Sequence, residues 1–319
     1  MYFLHMGDDS AAYGAVSRRT PAPEGPEMEP PSASQLALTD IHHPAPIREP
    51  QDFKSAIENR FTALDDGSLE DSYLSFSGVT PQLFEYIESR RNALGAKRVR
   101  FTYFADIETL IVKVPSEAHE KAHAIIGHEI FLRLRGHMAV DGDEVVPVQS
   151  TTFHGSGGSS KEADSAYKNL NVRSQVASWP VWVVEGGMSE SKERLLGDAS
   201  WWINHSNGEV QLIILVWICP SQRTIKIETW VPERRPPSPA PGPRTGARRA
   251  IPTLWARKGD DEVEMDFSAN TPIYHGSPSL VFQFSQLVGR PPNLPGEGDV
   301  VLTRQELLRL GRTIWRGII

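Results

Sequence analysis

Residues 99–114 read VRFTYFADIETLIVKV, with β-branched and aromatic side chains on both sides of Ala105-Asp106, which predicts two strands folded as a hairpin. Pro115-Ser116 then opens a helix over about 117–136, in which Ala118, Ala122, Ile126, Ile130 and Leu134 recur every four residues as an apolar stripe. A strand follows near 146–153, then GSGGSS, flexible by composition. Farther on, residues 181–186 form an apolar strand, and Ser189 caps a helix over 190–205 that buries Leu195, Ala199, Trp202 and Ile203. The turn SNG ends that helix, and residues 210–218 and 223–230 read as two further strands joined by 220–223. Upstream, a short helix is expected near 53–63, and Thr80-Pro81 supplies an N-cap and first-turn proline for a helix to about Leu94. Downstream, LVFQF is strand-like and Thr303 caps a helix through about Arg312. Together these elements predict an α/β (mixed α+β) core, a mixed sheet flanked by the helices at 117–136 and 190–205.

Residues 1–50 break this pattern with eight prolines and no periodicity, and are expected to form a disordered tail. The core is then expected over 51–231, a Pro/Arg-rich linker or loop over 232–250, and a β-rich extension with a terminal helix over 251–319. A hydrophobic fraction of 39%, with eight tryptophans and twelve phenylalanines, excludes a wholly disordered chain. The single cysteine, Cys219, excludes an internal disulfide, and the longest apolar run is too short for a membrane helix of roughly 20 residues. With no secretory pattern at the start, an intracellular protein, cytoplasmic or nuclear, is expected. The net charge of −7 disfavours nucleic-acid binding by the whole surface, but residues 234–249 carry five arginines and no acid. That segment is the candidate for phosphate contact.

HEKAH at 119–123 matches the pattern by which two histidines one helical turn apart hold zinc, with a glutamate as base. A third ligand is missing from the expected places: Ile126 and Glu129 stand where an elongated motif has Gly and His. His128 lies about 140° around the helix from His123, out of reach unless the helix breaks at Gly127. His119 and His123 are therefore expected to flank the apolar stripe as partly exposed residues, and no zinc is expected.

KEADSAYKN followed by WPVWVVEGGMSES resembles the restriction-endonuclease-like superfamily, known for its PD-(D/E)XK motif. The likeness is strongest to a fungal branch with a K-E-P-D turn, a W-P-x-L-V-x-E strand, a G-x-S-E-S helix start, D-A-x-W-W and a G-E-V strand, and it covers about residues 100–231. The resemblance implies that Asp164 and Glu185 hold a divalent metal, usually magnesium, while a lysine steadies the attacked phosphate. Two positions depart from the motif: Ala163 replaces its proline, and Gly187 stands where the lysine is expected. Asp198 occupies the alternative lysine position on the following helix, which leaves Lys192 as the catalytic candidate and Lys168 as another. Each of these lysines also fits a solvated surface residue. Glu185 equally fits a carboxylate resting near a helix N-terminus, and Asp164 an ordinary turn residue. Three functions stay open: a weak or degenerate magnesium-dependent nuclease or nucleic-acid-binding protein, a non-enzymatic interaction scaffold, and a zinc hydrolase through His119 and His123.

Overall fold

The computed structural model describes residues 44–47, 49–138, 140–149, 151–188, 192–234, 254–316 and 318. Most of the tail expected over 1–50, and the basic segment beyond Arg234, lie outside them. The described residues form a mixed α+β fold with six helices and three sheets.

The N-terminal part contains β1 (Ala45–Pro46), α1 (Pro50–Asp65), β2 (Tyr73–Ser77), α2 (Pro81–Ser89), β3 (Arg100–Phe104) and β4 (Thr109–Lys113). The expected hairpin is β3 against β4, closed at Phe104↔Thr109, with Glu108 at φ 46 finishing its turn. Thr80 caps α2 by accepting the Leu83 N–H at 3.3 Å, and the helix stops at Ser89, short of the expected Leu94. Phe53, Ile57 and Ile87 of α1 and α2 pack on Phe76, Phe101 and Val112, covering one face of the sheet to which β2, β3 and β4 belong.

Next come α3 (Glu117–Gly136), β5 (Val145–Pro147), β6 (Thr152–His154), β7 (Ser160–Glu162) and β8 (Ser165–Asn169). These four strands make one long antiparallel ribbon that passes from one sheet to the other. Its outer half, β6 with β7, joins the first sheet in the order β1-β2-β4-β3-β7-β6, while β5 with β8 joins the second. Gln149, at φ 50, interrupts one strand of the ribbon, and Ala163-Asp164 interrupts the other. The expected single mixed sheet is thereby corrected to two sheets sharing this ribbon. GSGGSS is its hairpin end, with Gly157 and Gly158 at positive φ, where a glycine carries no Cβ penalty.

The second sheet is completed by β9 (Trp182–Met188), β10 (Leu212–Cys219), β11 (Thr224–Arg234), β12 (Leu254–Asp266) and β13 (Ile273–Gly276), in the order β13-β12-β11-β10-β9-β8-β5. It is mixed, because β9 and β10 are parallel around the crossover helix α4 (Lys192–His205) and the other pairs are antiparallel. The described chain from Leu254 onwards starts within it: β12 pairs along β11 from Thr224↔Asp266 to Arg234↔Leu254. The short α5 (Phe284–Val288), the two-stranded sheet β14 (Ser279–Phe282) with β15 (Val300–Thr303), and α6 (Arg304–Trp315) complete the chain.

Strand parity assigns the layers. Trp182, Val184, Leu212, Ile214 and Val216 face one core with α3 and α6, whereas Val183, Ile213 and Leu215 face another with Leu195, Trp201 and Trp202 of α4. Tyr73, Phe104 and Ile111 of the first sheet share that second core, so α4 lies between the two sheets.

Candidate functional site

Glu185 stands in the middle of β9 with the odd-numbered parity of Val183, so its side chain enters the layer between the sheets. Asp164 stands where the ribbon leaves β7 for β8. Lys113, the last residue of β4, shares parity with Ile111 and points into the same layer from the first sheet; Lys161 of β7 does the same. From α4 come Asp198 and Trp202, one turn apart on one helix face.

These side chains meet. Lys113 Nζ donates to Asp164 Oδ2 at 2.7 Å and to the Gly186 carbonyl at 2.8 Å, and lies 3.4 Å from Glu185 Oε2. Asp164 Oδ2 also accepts the Gly186 N–H at 2.8 Å and lies 3.0 Å from His119 Nε2. Glu185 Oε1 accepts from Trp202 Nε1 at 2.6 Å, with Lys161 Nζ at 3.6 Å. Lys161 pairs with Asp198 at 2.7 Å and donates to Thr102 Oγ1 at 3.2 Å. The whole group is buried, with the side chains of Asp164 and Glu185 at most 1% exposed.

Such burial is tolerable only because the charges nearly cancel, three carboxylates against two ammonium groups and a histidine. Burial opposes the charge of Lys113, yet Asp164, Tyr73 and Glu185 hold its pKa well above the ordinary value. Burial likewise opposes ionisation of Asp164, and His119 and Lys113 overcome it, keeping the carboxyl well below its usual range. For Glu185 burial wins: against the pull of Lys161 its carboxyl is pushed up to about 7. His119 is raised despite its burial because Asp164 faces it.

Asp164 and Glu185, chosen from the sequence, are thus brought together. Lys192 is not: it is exposed at the start of α4 and lines a separate cavity with Trp217, Gln222 and Glu228. Lys168 is buried, with its ammonium bonded to the carbonyls of Gln175 and Val176, which corrects its reading as a solvated lysine. Glu185 is no helix-terminus carboxylate and Asp164 no simple turn residue, since both are ligated by lysine. Asp198, at the alternative lysine position, is paired with Lys161.

Sequence reasoning missed Lys113, Lys161 and Trp202 as members of the site. A signal existed for the first, because a lysine inside the strand TLIVK, buried at every position, must find a carboxylate. Lys161 stands inside the quoted KEAD itself.

His119 and His123 are also corrected. Both are buried, as α3 lays them against β9 and the start of β8. His119 Cδ2 lies against Gly186, where an added Cβ would come within 3.0 Å. Gly127 does not break α3, which is continuous from Glu117 to Gly136.

Magnesium prefers a near-octahedral oxygen shell, retains several waters, and in phosphoryl chemistry needs one side open to phosphate. Asp164 Oδ1 is a buried oxygen without a hydrogen-bond partner among the described residues, which would suit an ion. The other acceptors of Asp164 and Glu185 are taken, however, and Lys113 Nζ occupies the bridging place between the two carboxylates. Among the described residues no side is open, so in this arrangement they do not fit the ion. No family model matches the chain, and no curated protein matches it.

Proposed function

We propose that the chain is a restriction-endonuclease-like protein in which the acid pair has become an internal ion cluster, so that it is a degenerate nuclease with at most marginal activity. The observation that carries this reading is the bridge from Lys113 Nζ to Asp164 and Glu185 at 2.7 and 3.4 Å in a fully buried setting. The obstacle to catalysis differs from the one the sequence suggests. Positive charge is not lacking, because Lys113 and Lys161 supply it from other strands, but it is spent on the carboxylates and cannot reach a substrate phosphate. Removing electrostatic stabilisation of a developing anion commonly costs about 10²- to 10³-fold in rate. Any retained role is then binding, and the segment 234–249, nearly all outside the described residues, is its candidate contact.

The test is cleavage of plasmid, single-stranded DNA and RNA by the full chain with magnesium or manganese, together with DNA affinity across a salt series. Cleavage is expected to stay near background. Binding is expected to be weak and steeply salt-dependent, and to fall when the five arginines of 234–249 are replaced. Robust cleavage that vanishes in Asp164→Ala or Glu185→Ala would overturn the proposal.

A further inference from the structure

A second cluster stands beside the first and shares only His119 with it. His119 and His123 project from the same face of α3, their rings 5.1 Å apart, and Glu120 reaches across both. Glu120 Oε1 lies 3.7 Å from His119 Nδ1, and Oε2 lies 3.6 Å from His123 Nε2. One ligand atom from each residue falls within 4.8 Å of the others.

These separations are too long for hydrogen bonds. Among the described residues, His119 Nδ1, His123 Nε2 and Glu120 Oε1 are all buried without a hydrogen-bond partner. Three polar atoms buried this close together, at ion-pair distance and without a hydrogen bond, are a costly arrangement for a folded chain to keep. A cation placed among them satisfies all three.

The opposite edges of both rings are already engaged. His119 Nε2 faces the Asp164 carboxylate at 3.0 Å, and a carboxylate can only accept, so the ring keeps its proton on Nε2 and a metal at Nδ1 would bind in place of any second proton. His123 Nδ1 meets Ser165 Oγ at 2.8 Å, an oxygen able to accept from it, which leaves Nε2 free. Fixing a histidine through its far nitrogen in this way orients it as a metal ligand. The two histidine side chains are 0% and 5% exposed while Glu120 is 40% exposed, so the cluster opens towards solvent only on the glutamate side.

We propose that His119, Glu120 and His123 form a binding site for one divalent transition-metal ion, of which zinc best suits two imidazoles and a carboxylate. The sequence reading sought a third ligand beyond the motif, whereas here it is the glutamate within the motif. Zinc bonds of about 2.0–2.2 Å place tetrahedral ligands about 3.3 Å apart, so the two glutamate–histidine separations, made through different oxygens, need close by only a few tenths of an ångström, whereas the three ligand atoms, now within 4.8 Å of one another, must draw together by up to about 1.5 Å. Arg100 Nη2, 3.6 Å from Glu120 Oε1, is the competing cation and would have to yield that oxygen. A fourth coordination position faces solvent, and water fills it. This site stands independently of the degenerate-nuclease reading.

The experiment uses the full chain stripped with a chelator and titrated with Co²⁺, followed by visible d–d absorption, and with Zn²⁺ by calorimetry. One equivalent of Co²⁺ is expected to bind with the intense bands of a low-coordinate site and to be displaced by one equivalent of Zn²⁺, but not by millimolar Mg²⁺. His123→Ala is expected to weaken binding at least 100-fold, and Ser165→Ala, which frees the far nitrogen, about 10- to 100-fold. Because the histidine variants remove buried side chains, Glu120→Gln, at a partly exposed position, is the deciding variant. It is expected to leave the circular dichroism spectrum unchanged and weaken binding at least tenfold. Absence of saturable one-equivalent binding, or affinity unchanged in Glu120→Gln, would overturn the proposal.

Discussion

Lys113 is the residue on which the buried cluster turns. Its ammonium is the cation that touches both Asp164 and Glu185. Lys113→Met keeps much of the side-chain volume and leaves two buried carboxylates facing each other, which is expected to cost about 3–5 kcal/mol in urea unfolding. Adding Asp164→Asn and Glu185→Gln removes those charges and should restore a large part of the loss; a cost below about 1 kcal/mol for the single change would contradict this. Glu185 gives a pH signature. Its carboxyl is raised by burial to about 7 from 4.5, so between those values the folded state holds a proton that the unfolded state releases. Stability from this group is therefore full below about pH 4.5 and is lost as the pH rises towards 7, a change on the order of 3 kcal/mol. His119, also raised, acts in the same direction above its ordinary value of 6.5, whereas Asp164, lowered, withdraws stability only in acid. Glu185→Gln should match the parent near pH 5 and exceed its melting temperature at pH 8. Parallel curves for the two proteins would refute the assignment.

Helix α3 shows how an element can be fixed by what it packs on. Gly127 sits at its centre, where helix propensity alone favours alanine by about 1 kcal/mol. A Cβ there would come within 2.5 Å of Tyr167 Oη, and Tyr167 cannot retreat because it stacks on Trp182 with ring centroids 3.7 Å apart. Gly127→Ala is expected to destabilise by about 1–3 kcal/mol, despite its gain in propensity, when measured by thermal or urea unfolding. A stabilised variant would mean that the helix-to-sheet distance is not set by this contact. The same close approach brings His119 against Gly186, and thereby helps set the 3.0 Å contact of His119 with Asp164.

For the whole molecule, the described residues of the last fifth of the chain are part of the core. Val263, Met265, Phe282, Leu302, Leu310 and Trp315 belong to the cluster that contains Val184, Ile214 and the apolar stripe of α3. The stripe thus packs on β9 and β10 from one side while α6 joins it, with Arg133 and Glu306 pairing across the two helices. A chain ending at Arg234 would expose that surface and leave β11 as a bare edge. It is expected to be insoluble or to lack cooperative unfolding. A soluble fragment with a sharp transition would show that residues 254–319 are dispensable.

Much of the secondary structure was legible because it is local. The β-branched run 99–114, the Thr80 and Thr303 caps and the four-residue stripe of 117–136 each carry their instruction within a few residues, and the hairpin, the caps and the helix stand where that instruction puts them. The two acids were legible through a resemblance, and their proximity comes from the link between β7 and β8 lying against the middle of β9. What sequence could not give is the face-to-face placement of two sheets around α4. Parity says that Lys113 and Glu185 each point to one side of a strand, but not that the two sides are opposite each other across 72 residues of chain. Nor does HEKAH reveal that its histidines are buried against β9 and turned so that their free nitrogens and Glu120 converge. The sequence by itself determined the helices, the hairpin and the carboxylates; the tertiary structure decided which cations meet them, because partners for buried charge are chosen by packing in space and leave no periodicity along the chain.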